Sequence, residues 1–169
     1  AVRERLAGDQ WLLTVKTAGH SSQGLSRRQE WEGPTTPGAL AFDALVDDVA
    51  LCNTLMNIRP ALQAMFCTDF ERQHWVIDHA GARIEVALDD GTITTGHTAA
   101  TPQGLRSEAI LELELELLDG PPEALTALAQ TLEQGGARTA GERWLHPSDR
   151  SKAQRGLALF LQDNATPSS

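Results

Sequence analysis

Residues 110–118 read Ile110-Leu111-Glu112-Leu113-Glu114-Leu115-Glu116-Leu117-Leu118. Side chains alternate across a β-strand with a period of two. Glu112, Glu114 and Glu116 therefore share one face, and Leu111, Leu113, Leu115 and Leu117 share the other. The leucine face belongs against a core. The glutamate face has two readings: it is wet, as the outer face of an antiparallel strand usually is, or it is enclosed together with cations. Like charges about 7 Å apart repel by roughly 2 kcal/mol per neighbouring pair at an effective dielectric near 20. Solvent screens that repulsion at a surface, whereas an enclosed face needs metal ions, arginine or lysine beside it.

The pattern recurs outward from this segment. Arg3 and Arg5 share a face, as do Thr14 and Lys16, then Arg28, Glu30 and Glu32. Thr68, Phe70 and Arg72 share one, and so do Arg83, Glu85 and Asp89, while Trp31, Val86 and Leu88 fall on the opposite parity. A closed antiparallel barrel, apolar outside under helices and charged inside, would produce this distribution; a solvated, half-open sheet is the competing reading. An interior that mixes carboxylates with guanidinium groups suits Mg²⁺ or Mn²⁺, which take hard oxygen ligands. It also suits a polyphosphate, whose oxygens arginine and lysine clamp.

Turn and cap signals divide the chain into elements. Strands are predicted over Val2–Leu6, Trp11–Ala18 and Leu25–Glu32. Thr36-Pro37 reads as a helix start running to about Cys52, and Ile58-Arg59-Pro60 opens a shorter helical piece to about Met65. Phe66–Ile77 is a predicted strand, with a turn at Asp78–Gly81 and a strand at Ala82–Leu88. Asp90-Gly91 is a hairpin signal leading into Thr92–His97. A loop near Pro102–Gly104 precedes one long strand, Leu105–Leu118. Helices follow from Pro122 to about Gln134 and from Pro147 to about Gln162, with a frayed tail beyond Asn164. Antiparallel strands and separate helices, without a βαβ rhythm, make the fold class α+β.

The 169 residues suit one domain, and 41% hydrophobic with 22% charged residues is a globular composition. Fourteen Lys and Arg against 23 Asp and Glu leave a net charge of −9. An acidic surface does not favour nucleic acid or an anionic membrane. No apolar run reaches the roughly 20 residues of a membrane span, and the first ten residues lack the apolar core of a signal peptide. Cys52 and Cys67 fit no metal or redox spacing, so the expected compartment is reducing and cytoplasmic. Lys16 and Lys152 are the only lysines. The five histidines show no ligand spacing, although His74 has the parity of Arg72; the four tryptophans read as outer-face packing and Asp47-Asp48 as a solvated helix face.

Several segments in order resemble the CYTH domain, the triphosphate tunnel metalloenzymes, and in particular their bacterial inorganic triphosphatase branch. They are Arg3-Glu4-Arg5, residues 12–16 (LLTVK), Arg28-Gln29-Glu30-Trp31-Glu32, residues 66–72 (FCTDFER), residues 84–91 (IEVALDDG), residues 112–118 and residues 151–156 (SKAQRG). The resemblance implies an eight-stranded antiparallel tunnel with helices outside, covering residues 1–163 and followed by a flexible tail at 164–169. Its lumen would bind a small-molecule triphosphate and one or two divalent ions, Mg²⁺ or Mn²⁺. Arg3, Arg5, Lys16, Arg72 and Arg83 would hold phosphate oxygens, joined by Lys152 and Arg155 from the last helix. Glu30, Glu85, Asp89, Glu112, Glu114 and Glu116 would form the acidic, metal-binding lining. Glu114, Glu116 and Lys16 would act most directly on the reaction.

The implied activity is metal-dependent hydrolysis of inorganic tripolyphosphate to diphosphate and phosphate. A thiamine triphosphatase, an adenylyl cyclase of the same family and a non-catalytic triphosphate-binding module stay open beside it, as do monomer and homodimer. The sequence departs from the family pattern in one respect. The first Glu-x-Glu-x-Lys strand and the strand after it are not found, so the tunnel is expected to be incomplete at its N-terminal side. A following histidine-rich helical domain is not expected either.

Overall fold

A computed structural model describes residues 1–22, 25–96, 106–135 and 145–164. The chain divides into two compact units, Ala1–Gln63 and Ala64–Ser169.

In the first unit, β1 (Val2–Ala7), β2 (Gln10–Lys16) and β5 (Glu30–Pro34) form an antiparallel sheet in the order β1-β2-β5. Two three-residue strands, β3 (His20–Ser22) and β4 (Leu25–Arg27), pair separately. The strand expected over Leu25–Glu32 is thus two strands, only the second of which joins the larger sheet. β2 shows why the sheet has two characters. Leu13 and Val15 are 2% exposed and pack with Phe42, Val46 and Leu55, while Thr14 and Lys16 alternate onto the polar side. Two short helices carry those partners: α1 (Phe42–Leu45) and α2 (Val49–Ile58), followed by a 3₁₀ turn at Arg59–Ala61.

The single helix predicted from Thr36 to Cys52 does not form; the segment holds α1 and the start of α2. Asp48 is the residue that caps a helix, its carboxylate accepting from the Leu51 N–H, so α2 begins after it. Asp47 is engaged as well, accepting from the Trp31 indole N–H at 2.5 Å. The acidic pair is therefore a cap and a tether, not an idle solvated face.

In the second unit, β6 (Phe66–His79), β7 (Ala82–Thr95) and β8 (Ser107–Asp119) form a meander of long antiparallel strands. Ala80 and Gly81 join β6 to β7 with φ of 49° and 75°, the double positive φ of a tight hairpin turn. α3 (Glu123–Gly135) packs Ala124 and Leu128 on Ala82 and Ile84, with Val86, Leu115 and Leu117 around them. That is the leucine face of the glutamate–leucine strand. α4 (Lys152–Asn164) packs on all three strands and directs Lys152 and Arg155 at the carboxylates of the other face. Its first turn is closed by a reciprocal capping box: the Ser151 N–H donates to Gln154 Oε1 at 2.8 Å, and the Gln154 N–H to Ser151 Oγ at 3.3 Å. The start predicted at Pro147 is therefore early by about one turn, because Ser-x-x-Gln is the stronger signal.

Two expectations fail for physical reasons. Asp90-Gly91 is no hairpin: β7 runs through it, with Gly91 opposite Phe70 on one side and Ile110 on the other. A Cβ at Gly91 would lie 2.5 Å from both Cα and Cβ of Phe70, so glycine is required there for close strand approach. The closed eight-stranded barrel is also overturned. Closure needs every strand to have two neighbours. Among the described residues the strands form two three-stranded sheets and one pair, and β1, β5, β6 and β8 each have a single partner. The fold remains α+β, with open sheets. The loop near Pro102–Gly104, His97, Trp144 and residues 165–169 of the expected tail lie outside the described residues.

Gly91→Ala is expected to destabilise the protein by about 1–3 kcal/mol through backbone displacement. Urea unfolding would register a lowered midpoint, whereas an unchanged midpoint would show that the strands have room to spare.

Candidate functional site

The polar side of the first unit is a short chain of hydrogen bonds. Arg3, Thr14 and Glu32 are aligned across β1, β2 and β5 by the strand register. Thr14 is fully buried and donates to Glu32 Oε2 at 2.6 Å. Arg5 reaches Glu32 Oε1 at 2.8 Å and Arg3 reaches Oε2 at 3.5 Å. Lys16 pairs with its register partner Glu30 at 2.8 Å. Burial opposes the charge of Glu32, but the bonds from Arg5 and Thr14 outweigh it and hold the carboxyl below its ordinary range.

The second unit carries a denser network on the face under α4. Register places Arg72, Asp89 and Glu112 in one row across β6, β7 and β8. Arg72 grips Asp89 through two parallel bonds of 2.7 Å and reaches Glu114 at 2.5 Å. Lys152 Nζ sits at the focus of three carboxylates, 2.7 Å from Asp89, 2.8 Å from Glu114 and 2.9 Å from Glu112. Arg155 bridges Glu112 and Glu108, and also donates to the Ala109 carbonyl. Three cations thus meet four carboxylates, leaving one net negative charge. Asp89 is 0% exposed and Lys152 13%, while Arg72 and Glu114 are open to solvent at 37% and 47%.

These contacts set the protonation states. Burial works against ionised Asp89, but hydrogen bonds from Arg72 and Lys152 overcome it and depress its pKa. Glu114 is likewise depressed: its burial is offset mainly by Lys152 and then by Arg72. Lys152 is raised, since Asp89 and Glu114 more than compensate its own desolvation. Arg72 is raised chiefly by its bonds to Asp89. Asp89 and Glu114 are therefore held as carboxylates and Lys152 and Arg72 as cations at neutral pH.

A row of arginine–carboxylate–lysine contacts thus runs across long antiparallel strands under a helix that opens Ser-Lys-x-Gln-Arg-Gly. The CYTH domain matches residues 1–156. The chain belongs to the CYTH domain family. Among curated proteins it is similar to a protein of Haemophilus influenzae named inorganic triphosphatase, with 31% identity over 166 residues. The alignment covers 96% of this chain and 42% of that relative, so the chain spans well under half of the relative's length. No helix among the described residues is long and apolar enough to cross a membrane.

In this CYTH chain, the residues singled out from sequence are distributed as follows. Arg72, Asp89, Glu112, Glu114, Lys152 and Arg155 come together in the second unit. Glu85 and Glu116 are paired in register on β7 and β8, two residues further along the same face. Arg83 is exposed at the end of β7, opposite Asp78 on β6 and Asp119 on β8. Arg3, Arg5, Lys16 and Glu30 belong to the first unit. Among the described residues, no three His, Cys, Asp or Glu side chains form a metal-holding group. The donor chemistry nonetheless fits a hard divalent ion, because the convergent groups are all carboxylate oxygens. Those oxygens surround the protein's own ammonium group. Sequence reasoning missed Glu108, whose parity with Glu112 is hidden by Ile110 between them, and undervalued Glu32, which anchors both Arg3 and Arg5.

The depressed carboxylates stabilise the fold fully above their ordinary values of 3.8 and 4.5, and that stabilisation disappears as pH falls through the lower folded values. Raised Lys152 contributes fully below 10.5 and is lost as pH climbs past its folded value. The contribution of Asp89, Glu114 and Lys152 to stability should therefore be level between about pH 5 and about pH 10 and fall on both sides. Urea midpoints across pH would show it. Asp89→Asn should weaken the acid limb, and an acid limb identical to wild type would remove Asp89 as its source.

Proposed function

We propose that the protein hydrolyses a triphosphate, with inorganic tripolyphosphate as substrate and diphosphate and phosphate as products. One observation carries this reading most directly: Arg72 and Lys152 share the carboxylates Asp89 and Glu114 on a single face. Such a face offers cations to phosphoryl oxygens and oxygens to a divalent ion at once. Membership of the CYTH family and the relative named inorganic triphosphatase support it.

In this reading residues 1–163 act as one domain. Arg72, Lys152 and Arg155 turn from their carboxylate partners to non-bridging phosphate oxygens, where they bind the chain and stabilise charge during in-line transfer. Within the second unit Arg83 is a further phosphate contact; Arg3, Arg5 and Lys16 are the candidate phosphate contacts of the first unit taken by itself. Asp89, Glu112, Glu114 and Glu116 would hold Mg²⁺ or Mn²⁺, with Glu85 and Glu30 as additional acidic groups. When bound, the ion supplies charge neutralisation at the phosphoryl oxygens. Glu116 orients the attacking water and takes its proton. The new P–O bond forms as the bridging P–O bond breaks, and diphosphate leaves with the electron pair. Free Cys52 and Cys67 fit a reducing, cytoplasmic setting.

Phosphate release from tripolyphosphate should require Mg²⁺ or Mn²⁺ and stop with a chelator. Arg72→Ala and Glu114→Ala, if still folded by circular dichroism, should each lower kcat/KM by about 10²–10³-fold. Full activity in both variants would refute the site assignment. Faster turnover of thiamine triphosphate or ATP than of tripolyphosphate would refute the substrate, and tight binding without release would refute catalysis.

A further inference from the structure

Phe70 lies on the same parity of β6 as Arg72, so its side chain belongs to the face that carries the ion network. Lys152 Nζ is 5.3 Å from the centre of its ring, and the Arg72 guanidinium carbon is 5.8 Å from it. Both distances lie within cation–π range, where the negative face of the ring attracts a cation. One ring thus touches the two cations that share Asp89 and Glu114.

The backbone is built to put the ring there. Gly91 stands opposite Phe70 in the register, and a Cβ on it would collide with Phe70 Cα and Cβ at 2.5 Å. A second close approach fixes the helix. Gly156 rests against the ring of Phe66, where a Cβ would lie 2.5 Å from Cγ. Gly156 follows Lys152 by four residues, and Phe66 precedes Phe70 by four. Residues four apart lie on one face of a helix, and residues four apart on one face of a strand. Two phenylalanines of β6 therefore meet two residues on one face of α4: one sets the depth of the helix and the other receives its lysine.

We infer that Phe70 is a positioning residue, holding the Lys152 ammonium and the Arg72 guanidinium side by side for phosphate oxygens. Its role rests on the triphosphate reading for the ligand, but not for the geometry. The ring cannot accept a phosphate itself and offers no competing hydrogen bond. It attracts both cations without neutralising them, unlike Asp89 and Glu114. When a polyphosphate draws Lys152 and Arg72 from their carboxylates, the ring remains a contact common to both. A leucine at this position keeps apolar bulk and loses the quadrupole. A tyrosine keeps the ring face.

The small number of lysines makes the geometry measurable. Lys16 and Lys152 are the only two, so ¹³C-lysine labelling yields two sets of side-chain signals. In the wild-type protein the ε-CH₂ protons of Lys152 should be shifted upfield of those of Lys16 by the ring current. Phe70→Leu should abolish that shift, and Phe70→Tyr should retain it. In calorimetric titrations with inorganic tripolyphosphate, Phe70→Leu should weaken binding by about 5–30-fold, and Phe70→Tyr by no more than about twofold. A Lys152 signal unaffected by Phe70→Leu overturns the placement. Equal losses of affinity in the leucine and tyrosine variants overturn the role of the ring face. A ring-current shift in a wild-type protein that binds no tripolyphosphate overturns the substrate reading and leaves the placement standing.

Discussion

The carboxylate of Asp89 is 0% exposed on the central strand of its sheet, and much of the second unit is arranged around that charge. Removing an ion from water costs several kcal/mol unless opposite charge and hydrogen bonds replace the lost solvent. Arg72 and Lys152 provide that replacement together on one face. Arg72 comes from the neighbouring strand in register. Lys152 comes from a helix distant in sequence. Strand pairing and helix docking therefore depend on each other, because either one alone would leave Asp89 partly compensated.

The same device gives the face its chemical character. Guanidinium, ammonium and carboxylate groups neutralise one another at contact distance. In the reading proposed above, a ligand that carries both phosphate and a divalent ion exchanges partners with this network. A ligand that carries only one of the two would strand the other half of the network. Depressed carboxylates and raised cations follow from this mutual pairing, and they are typical of sites as well as of structural ion networks. Membership of the CYTH family and the nearby phosphate-compatible geometry favour a site.

The first unit repeats the principle at smaller scale. Thr14 is buried and Glu32 draws three partners to one carboxylate, so Arg3 and Arg5 are oriented from two positions of β1. Each unit keeps an apolar face under short helices or α3 and a polar face rich in paired charges. The family does not by itself choose a substrate, because a shared scaffold hosts different chemistry through its side chains. In the reading proposed above, the choice rests on which cations can be freed toward phosphate.

Much of this was legible in the one-dimensional pattern. Alternation in residues 112–117 was legible, with Leu115 and Leu117 on the side that meets α3 and Glu112 and Glu114 on the charged side, whereas at the strand's other end Leu111 is exposed and Ile110 is buried. The parities of Arg72, Asp89 and Thr14 were equally readable, as was the turn before Ala82. Local signals failed where tertiary contact overrode them. Asp90-Gly91 looked like a hairpin, yet its glycine serves the close approach of β6. Thr36-Pro37 looked like a helix start, yet Asp48 performs the capping. Whether the sheets close was also undecidable locally, because closure is set by pairing between distant edges. Alternation is a property of each residue's own backbone, so sequence alone determined the faces. Only the tertiary structure decided that Lys152 would sit among Asp89, Glu112 and Glu114, because that meeting depends on how a helix some forty residues away docks on the strand.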